Sequence, residues 1–570
     1  MNILKTIILL SLFFPYNAYA VCSGSTLGTS PNLTAYDCSY DCVNLAVNTD
    51  AVANDTVNVP ACSETTWSSP LIITKGITLQ GAGIGSTNIK GNITDAYNGV
   101  ISYRPDAAAR AANNLVRITG FTINADNKSN GIYIYNNSIT PVAKVRIDHN
   151  RIINAGGSSA GRGIYVVGTV YGVADNNQIE NYTHGMDSEG YDGGSPQWEN
   201  LTREFGSANN FYFEDNILID SQSPVNAGGH GGRYISRYNS YSGATENLFP
   251  VFDIHGNSPT DICGMMVVEI YGNDINLGSH GGELIDQRGG RLLAFLNKVT
   301  CGADSPYIQI REEYLDSNYP SGNSYLMHVT NSYLWNNTKN GTLYTSVTLN
   351  NNQYEDAYDL TENTDFWISP NSFNGTSGVG CGVLAARPAT CTPGVAYWAT
   401  NQSCSDLSGM VGANPTTPIS GTLYKCTAPN TWEEYYAPYI YPHPLSGNAT
   451  ITIADSDPKS VDTSTTDVTV SYNIAPPTCK WRLGSAPDAS NGTAFSGYNP
   501  TITGLSDGEN ILYVACDGPN NEYAWAINDS LIINRGATVA VGKIPMTSIN
   551  SGNISASKVN SGNVEITAVY

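Results

Sequence analysis

Charge is scarce in the 570-residue sequence, and positive charge is scarcer than negative. Only 13% of the residues are charged, and 27 Lys and Arg residues face 49 Asp and Glu residues, so the formal net charge is −22. Coiled coils and highly charged disordered chains have different compositions, so both are excluded. An acidic surface repels phosphate backbones and anionic lipids, so we expect no nucleic-acid partner.

Long apolar runs are missing beyond the first 20 residues. Those 20 residues combine Lys5, the apolar run Ile7–Phe14 and the small-residue end Ala18–Ala20, which is the pattern of a secretory signal peptide. No later segment reaches the roughly 20 apolar residues that a membrane-spanning helix needs. We therefore expect cleavage after Ala20 and a secreted protein, extracellular or held at the cell surface, without a transmembrane segment.

Paired CxxC motifs are missing too, which argues against a structural zinc site. Twelve cysteines in an exported chain instead predict disulfides. We expect Cys263 to pair with Cys301 and Cys479 with Cys516, and the sequence leaves the pairing open in two groups of four. The first group is Cys22, Cys38, Cys42 and Cys62, and the second is Cys381, Cys391, Cys404 and Cys426.

A repeated strand pattern dominates the sequence between residues 145 and 297. Six segments alternate apolar and polar residues and end in asparagine: Val145–Asn150, Tyr171–Asn177, Phe211–Asn216, Tyr234–Asn239, Val267–Asn273 and Leu292–Asn297. Their asparagines recur about every 23 to 27 residues, with longer intervals where loops are inserted. Because no helical run separates the copies, we predict a β-solenoid. We expect each Asn to adopt the left-handed backbone of a sharp turn and to hydrogen-bond to the next coil.

The segments Asp55–Pro60 and Leu71–Gly83 resemble the opening of right-handed parallel β-helix proteins of the pectin-lyase-like superfamily. The resemblance covers roughly residues 30–375, and it implies an amphipathic cap over the open end of the coil, at Cys42–Val52. The fold class that follows is all-β, a right-handed parallel β-helix solenoid followed by a small β-sandwich. The superfamily includes lyases, hydrolases, isomerases, phage depolymerases and adhesins, so the resemblance implies no single activity.

Changes in composition divide the chain into five parts. Residues 1–20 are the signal peptide, and residues 21–380 are the N-terminal cap and β-helix. Residues 381–450, rich in Cys, Tyr and Pro, are expected to cover the solenoid. Residues 451–536 resemble a fibronectin-III or immunoglobulin-like sandwich, and residues 537–570 form a polar repetitive tail. The aromatic residues of the cover either pack in its core or stack on sugar rings: Trp432, Tyr435, Tyr436, Tyr439 and Tyr441.

Polar residues at alternate positions predict a functional groove on the β-helix. The segments Gly185–Glu189, Val251–His255, Leu284–Arg288 and Tyr307–Arg311 align as coils, and Val225–Gly228 fits between the first two. Because strand side chains alternate and coils stack about 4.8 Å apart, their polar members form two outward columns. One column is Asp187, Asn226, Asp253, Asp286 and Gln309. The other is Glu189, Gly228, His255, Arg288 and Arg311.

Crowded acidic and basic groups of this kind suit acid–base chemistry, although a ladder of alternating charges that only stabilises the stack is the alternative. We expect a polysaccharide or a cell-surface glycan as the partner. Our first hypothesis is a lyase that cleaves uronate-containing polysaccharide by β-elimination, with Arg288, Arg311 or neutral His255 as the base. The predicted catalytic residues are Asp253, His255, Asp286, Arg288 and Arg311, and the predicted substrate-binding residues are Asn226, Arg233 and Gln309.

Calcium is the expected cofactor of the lyase, held by Asp187, Glu189 and Asp192, because hard oxygen ligands suit it. The resemblance to pectate lyases also implies Arg and Ca²⁺. An inverting glycoside hydrolase on the same fold is one alternative, with two of the four carboxylates as acid and base. The other alternative belongs to a different class, a non-catalytic adhesin or glycan-binding surface protein. The four carboxylates are Asp187, Glu189, Asp253 and Asp286.

Overall fold

The structure is a computed structural model that divides into two units, Met1–Tyr439 and Ile440–Tyr570, and we describe each by itself. The predicted signal peptide lies outside the described residues, as does much of the tail. The structure describes residues 22, 24–126, 128–154, 161–190, 204–221, 223–227, 231–243, 250–256, 264–279, 282–302, 307–313, 328–351, 359–446, 451–453, 455, 459–461, 463–472, 478–485, 487, 491–495, 500–506, 508–517, 526–535, 555–560 and 563–567.

The first unit is a parallel β-helix, which confirms the predicted fold class. Three long sheets run along it, and between the two ends of the β-helix each strand pairs with the strand three places further along the chain. The pairing is parallel except where Leu27–Thr29 meets Asn32–Thr34 and where Thr338–Lys339 meets Thr342–Leu343. Each coil therefore passes through sheet 1, sheet 2 and sheet 3 before it returns to sheet 1.

The strands of each sheet follow in spatial order. Sheet 1 consists of Leu27–Thr29, Asn32–Thr34, Thr56–Val59, Thr78–Gly81, Val116–Thr119, Val142–Asp148, Val170–Asp175, Phe211–Glu214, Arg233–Arg237, Val267–Tyr271, Arg291–Phe295, Ser332–Trp335 and Phe366–Ile368. Sheet 2 consists of Cys62–Trp67, Thr87–Gly91, Thr122–Asn124, Arg151–Ile153, Gln178–Glu180, Ile217–Ile219, Ser240–Ser242, Asp274–Asn276, Lys298–Thr300, Thr338–Lys339 and Thr342–Leu343. Sheet 3 consists of Leu71–Ile73, Asp95–Tyr103, Ser129–Asn136, Arg162–Gly168, His184–Glu189, Ser223–Ala227, Phe252–Ile254, Glu283–Gln287, Tyr307–Ile310 and Thr348–Leu349.

The asparagine ladder lies at the turn from sheet 1 to sheet 2. The side-chain oxygen of Asn239 accepts hydrogen bonds from the backbone N–H and the amide group of Asn216, at 2.9 and 3.0 Å. The same bonds link all six predicted asparagines and a seventh, Asn337. The predicted ladder is confirmed, but the residue with the left-handed backbone lies one position earlier than predicted. Positive φ occurs at the residue before each of these asparagines, as at Tyr238 and Leu296.

The coil interior is apolar because one face of every strand points into it. The predicted inward residues Met186, Phe252, Ile285 and Ile308 are all buried in one core. Long insertions connect sheet 3 to sheet 1 after Glu189, Ile254 and Ile310. Sheet 3 carries most of the predicted site residues.

A short helical cap precedes the first coil. An α-helix, Tyr40–Asn44, is followed directly by a π-helix, Leu45–Asp50, and the hydroxyl of Ser39 caps the first helix at the backbone N–H of Cys42. Val43, Ala46 and Val47 are buried in the core of the β-helix, so the helices lie two residues earlier than the predicted cap and cover the apolar interior. Two other helices are described, an α-helix at Ala107–Ala112 and a 3₁₀-helix at Leu384–Ala386.

A four-stranded sheet covers the outer face of sheet 1. Its strands are Val379–Gly382, Ala396–Ala399, Thr422–Ala428 and Thr431–Tyr436. Trp398 and Tyr436 pack against the ring of Phe295, with ring centroids 5.3 and 5.8 Å apart. Tyr435 packs beside Tyr333 and Tyr439 beside Tyr212, so these tyrosines of the cover pack against the solenoid.

Four disulfides are described, and they fall inside the two predicted groups of four. They are Cys22–Cys42, Cys38–Cys62, Cys381–Cys404 and Cys391–Cys426. The predicted bridge between Cys263 and Cys301 is wrong. Cys301 is a buried free thiol, and the amide nitrogen of Asn340 lies 3.7 Å from its sulfur. Cys263 lies outside the described residues.

The second unit is a small β-sandwich. One sheet pairs Ile451–Ile453 with Val470–Tyr472, another pairs Thr465–Asp467 with Thr501–Thr503, and the largest consists of Lys459–Val461, Ala526–Arg535, Gly508–Asp517, Thr478–Leu483 and Thr493–Phe495. Its core contains Val470, Trp481 and Ile533. Cys479 is disulfide-bonded and lies directly opposite Cys516 in the register. In the tail, Ser555–Asn560 pairs antiparallel with Asn563–Thr567.

Candidate functional site

The outer face of sheet 3 brings the predicted columns together in the predicted register. Asp187 pairs with Asn226, Asn226 with Asp253, Asp253 with Asp286, and Asp286 with Gln309. Two residues further along their strands come Glu189, His255, Arg288 and Arg311. Gly228 lies outside the described residues, as does the side chain of Asn226.

Arg288 is the centre of this cluster, because its guanidinium contacts three carboxylates. It donates to Asp253 and, at 2.5 Å, to Glu313, and its Nε lies 3.4 Å from Asp286. His255 lies on the other side of two of these carboxylates, with Nε2 3.3 Å from Asp253 and Nδ1 3.6 Å from Glu313. One guanidinium and one imidazole thus hold three acidic groups together.

A second group of contacts continues the cluster on the next coil. Arg311 donates a hydrogen bond to each carboxylate oxygen of Asp286, at 3.0 and 2.6 Å. The amide of Gln309 donates to Asp286 at 3.3 Å and to Glu283 at 3.4 Å. The hydroxyl of Tyr307 donates to the same oxygen of Glu283 at 2.8 Å. Asp286 and Glu283 are therefore linked through one amide, and their bonded oxygens lie no further apart than the sum of those two distances, 6.7 Å.

At the other end of the cluster, Arg162 neutralises the first two carboxylates. Its Nε donates to Asp187 at 2.5 Å, and its Nη2 lies 3.6 Å from Glu189. The same guanidinium covers the ring of Tyr165, 4.3 Å from the centroid. Tyr165 precedes Asp187 in the outward column, so the column changes from aromatic to acidic at this coil.

These side chains face outward, and yet most are shielded from solvent. Asp187 is fully buried and the Asp286 side chain is 3% exposed, whereas Asp253 is 13% exposed and His255 29%. Glu283 is half-buried, and Tyr307 beside it is 38% exposed. A ligand on this face therefore meets Glu283, Tyr307, Asp253 and His255 before it meets Asp187 or Asp286.

Neighbouring charges determine which members of the cluster are protonated. Burial raises the pKa of Asp253, but His255 and Arg288 outweigh it and hold that pKa at about 2. Burial lowers the pKa of His255, but Asp253 and Glu313 raise it to about 10. His255 is therefore an imidazolium at neutral pH, which disfavours its predicted role as a neutral base. The pKa values of Arg288 and Arg311 are also raised, because neighbouring carboxylates outweigh the effect of burial.

Glu283 has the opposite environment. Burial raises its pKa, and the negative charges of Asp286 and Asp253 add to this effect, while the hydrogen bond from Tyr307 and the positive charge of Arg311 oppose it. Three coils earlier, at the start of the strand that carries Asp187, burial lowers the pKa of His184. The face thus carries one carboxyl group biased towards its protonated form beside a carboxylate that stays ionised.

Two members of the predicted calcium set, Asp187 and Glu189, lie within the described residues, and both are close to Arg162. Calcium needs six to eight oxygen ligands, but Asp187 and Glu189 already pair with Arg162. No cluster of three or more His, Cys, Asp or Glu residues able to hold a metal is found among the residues that the structure describes. Asp192 lies outside those residues, so calcium stays a prediction.

Arg233 does not join the cluster. It begins a strand of sheet 1, is 7% exposed, and places its guanidinium 5.7 Å from the ring centroid of Tyr171. Its Nη1 donates to the backbone oxygen of Asn209 at 3.3 Å. The predicted substrate contact of Arg233 is therefore not on the outer face of sheet 3.

Sequence reasoning missed four members of the cluster: Arg162, His184, Glu283 and Glu313. Arg162 and His184 are paired in the register one position before the first aligned segment, so extending the alignment towards the N-terminus could have found them. Glu313 follows Arg311 by two residues and continues the alternation. Glu283 carries no such signal, because the register shifts between Glu283 and Ile285.

A few findings bear on the compartment of the protein and on its similarity to known proteins. Four disulfides are compatible with an extracellular protein. Among the described residues, no helix is both long enough and apolar enough to cross a membrane. No protein-family model and no curated protein sequence matches the chain.

Proposed function

We propose that the chain is a secreted polysaccharide-cleaving enzyme and that its active site is the outer face of sheet 3. The observation that carries the proposal is the contrast between Glu283 and Asp253, whose environments drive their pKa values in opposite directions on neighbouring strands. Glycoside hydrolases usually take their acid and base from two carboxyl groups whose environments give them different pKa values. We also propose membership of the pectin-lyase-like superfamily and a fibronectin-III or immunoglobulin-like second unit.

In this proposal, Glu283 is the general acid and Asp253 the general base. Glu283 donates its proton to the glycosidic oxygen as the bond between that oxygen and the anomeric carbon breaks. Asp253 takes a proton from the water molecule whose oxygen forms the new bond to the same carbon. This step inverts the configuration at the anomeric carbon, because the water attacks that carbon directly and no covalent glycosyl-enzyme intermediate forms.

Hydrolysis suits these residues better than β-elimination does. Arg288, Arg311 and His255 could take the proton in an elimination only in their neutral forms, and neighbouring carboxylates hold all three in their charged forms. The same pairing gives them another role. Arg288 and Arg311 fix the orientation of Asp253 and Asp286, and His255 supplies a positive charge beside the base.

The test is a screen of the purified chain on neutral and acidic polysaccharides with two readouts. Hydrolysis predicts new reducing ends without the ultraviolet absorbance of an unsaturated uronate. Products that carry this absorbance would assign the site to a lyase. Glycan binding without any product would assign the chain to the adhesin class and refute the enzyme.

A further inference from the structure

A cavity lies on a different side of the β-helix, away from the proposed active site on sheet 3. It opens between the outer face of sheet 2 and the loop 405–411 of the cover, and its volume is about 400 Å³. Pockets for small ligands are typically about 300 to 1,000 Å³, so this cavity is large enough for a short ligand. Its lining includes Asp274, Lys298, Thr300 and Thr338 from sheet 2 and Ser405 and Asp406 from the loop. We call it the sheet 2 groove.

The loop wall of the sheet 2 groove is held in place at both ends. The disulfide Cys381–Cys404 precedes it, and the amide of Asn336 donates to the backbone oxygen of Cys404 at 2.5 Å. After the loop, the backbone N–H of Gly412 donates to Gly272 at 2.9 Å. The hydroxyl of Ser403 accepts from the backbone N–H groups of Ser405 and Asp406 at 3.2 and 2.8 Å. The groove is therefore preformed, and a ligand does not have to order it.

The floor of the groove offers donors and acceptors side by side. Lys298 and Asp274 lie 3.0 Å apart, and their side chains are 45% and 35% exposed. An ammonium group only donates hydrogen bonds and a carboxylate only accepts them, whereas a hydroxyl does both. A pair of neighbouring sugar hydroxyls can therefore bond to Asp274 and Lys298 at once. The hydroxyls of Thr300 and Thr338 extend the same polar floor.

The charge of the lining selects among sugars. Its charged residues are the acidic Asp274 and Asp406 and the basic Lys298, which leaves one net negative charge. A uronate chain would add further negative charge, whereas a neutral sugar adds none. We propose that the sheet 2 groove is a non-catalytic binding site for a neutral oligosaccharide segment. The proposal does not depend on the chemistry assigned to sheet 3.

The test measures binding by calorimetry on the full chain carrying Glu283→Gln, so that no cleavage disturbs the titration. The probes are hexasaccharides of β-1,4-glucan, β-1,4-mannan and α-1,4-glucan, with hexagalacturonate as the anionic comparison. Two variants alter the groove. Lys298→Ala removes its ammonium donor, and Thr300→Trp fills the space above its floor. Lys90→Ala is the matched control, because Lys90 forms a similar half-exposed pair with Asp126 at 3.5 Å on sheet 2, outside the groove.

At least one neutral probe is expected to bind, and each groove variant is expected to weaken that binding about tenfold, while Lys90→Ala leaves it unchanged. Three results would overturn the proposal. The first is no binding of any neutral probe at about 10 mM. The second is equal binding by the groove variants and the control. The third is tighter binding of hexagalacturonate than of every neutral probe, which would contradict the ligand class. Product formation by the chain with Glu283 intact reports on sheet 3 alone.

Discussion

Asp253 and Asp286 occupy paired positions on neighbouring strands, and the guanidinium of Arg288 contacts both. Parallel strands lie about 4.8 Å apart, so two carboxylates at this spacing repel each other unless a cation lies between them. Arg288 supplies that cation, and Arg311 supplies another on the far side of Asp286. Glu283 instead accepts hydrogen bonds from two neutral groups, Tyr307 and Gln309, and burial raises its pKa.

Replacement of the proposed base tests its role. Asp253→Asn should lower kcat/KM by about a hundredfold or more, because the variant cannot accept a proton from water. The fold should survive, because Arg288 keeps its contacts with Asp286 and Glu313. Kinetics and a thermal melt on the same preparation check this, with Asp126→Asn as the control. A fully active Asp253→Asn variant would remove Asp253 from the mechanism.

The pH profile of activity tests the assignment of the acid. Activity should fall as the pH rises through the pKa of Glu283, because only the protonated form donates. Tyr307 donates a hydrogen bond to Glu283 and thereby lowers its pKa. Tyr307→Phe should therefore move the alkaline limb of kcat/KM to higher pH while the acidic limb stays in place. An unmoved or lowered alkaline limb would show that another group supplies the proton.

The asparagine ladder predicts a large effect of one small substitution on stability. Asn239→Ala removes an oxygen that accepts two bonds from Asn216 and an amide that donates to Phe213, all buried. Leaving such groups unsatisfied should cost about 2 to 4 kcal/mol of unfolding free energy. Urea denaturation of the β-helix measures it. The exposed Asn276→Ala is the control, and equal midpoints for the two variants would mean that the ladder contributes little.

Glu269 predicts a pH-dependent loss of stability. It is buried against the cover, where it accepts hydrogen bonds from the backbone N–H of Gly206 and from Tyr436. Burial raises its pKa to about 7 in the folded state, against about 4.3 in the unfolded chain. Below the unfolded value both states are protonated. Between the two values only the unfolded state ionises, so stability falls as the pH rises from about 4.3 to about 7.

Glu269→Gln should abolish this fall, because an amide does not titrate. At neutral pH the variant should be more stable than the parent by on the order of 3 kcal/mol, which corresponds to the pKa difference. Melts at a series of pH values measure the effect. Parallel pH profiles for parent and variant would refute the raised pKa of Glu269.

The sequence predicted the columns of sheet 3 because the alternation of side chains along a strand leaves little freedom in the register between coils. A slip of one residue would bury Asp253 and expose Phe252, so the apolar residues alone determine the register. The ladder followed from the asparagines for the same reason, since each coil must stack on the next. The left-handed residue was misplaced because the turn geometry, not the residue type, sets it: Tyr238 and Leu296 adopt positive φ as readily as Asn176 does.

The remaining features depend on contacts that no local pattern encodes. Glu283 reaches the cluster through a register shift, and Glu313 reaches Arg288 from the end of the next coil. The free thiol of Cys301 and the pairings among the eight cysteines depend on which side chains meet in space. The sheet 2 groove is formed by a loop more than a hundred residues beyond the strand of Lys298, so periodicity cannot reveal it.

The most direct test of the account is the rate at which Glu283→Gln releases reducing ends from the polysaccharide that the parent chain cleaves best. Glu64→Gln, an exposed change on sheet 2, is the matched control. If Glu283 is the general acid, Glu283→Gln loses activity by about a hundredfold or more at an unchanged unfolding midpoint, while the control keeps the parent rate. A parent rate from Glu283→Gln, or no product from the parent on any polymer, would contradict it.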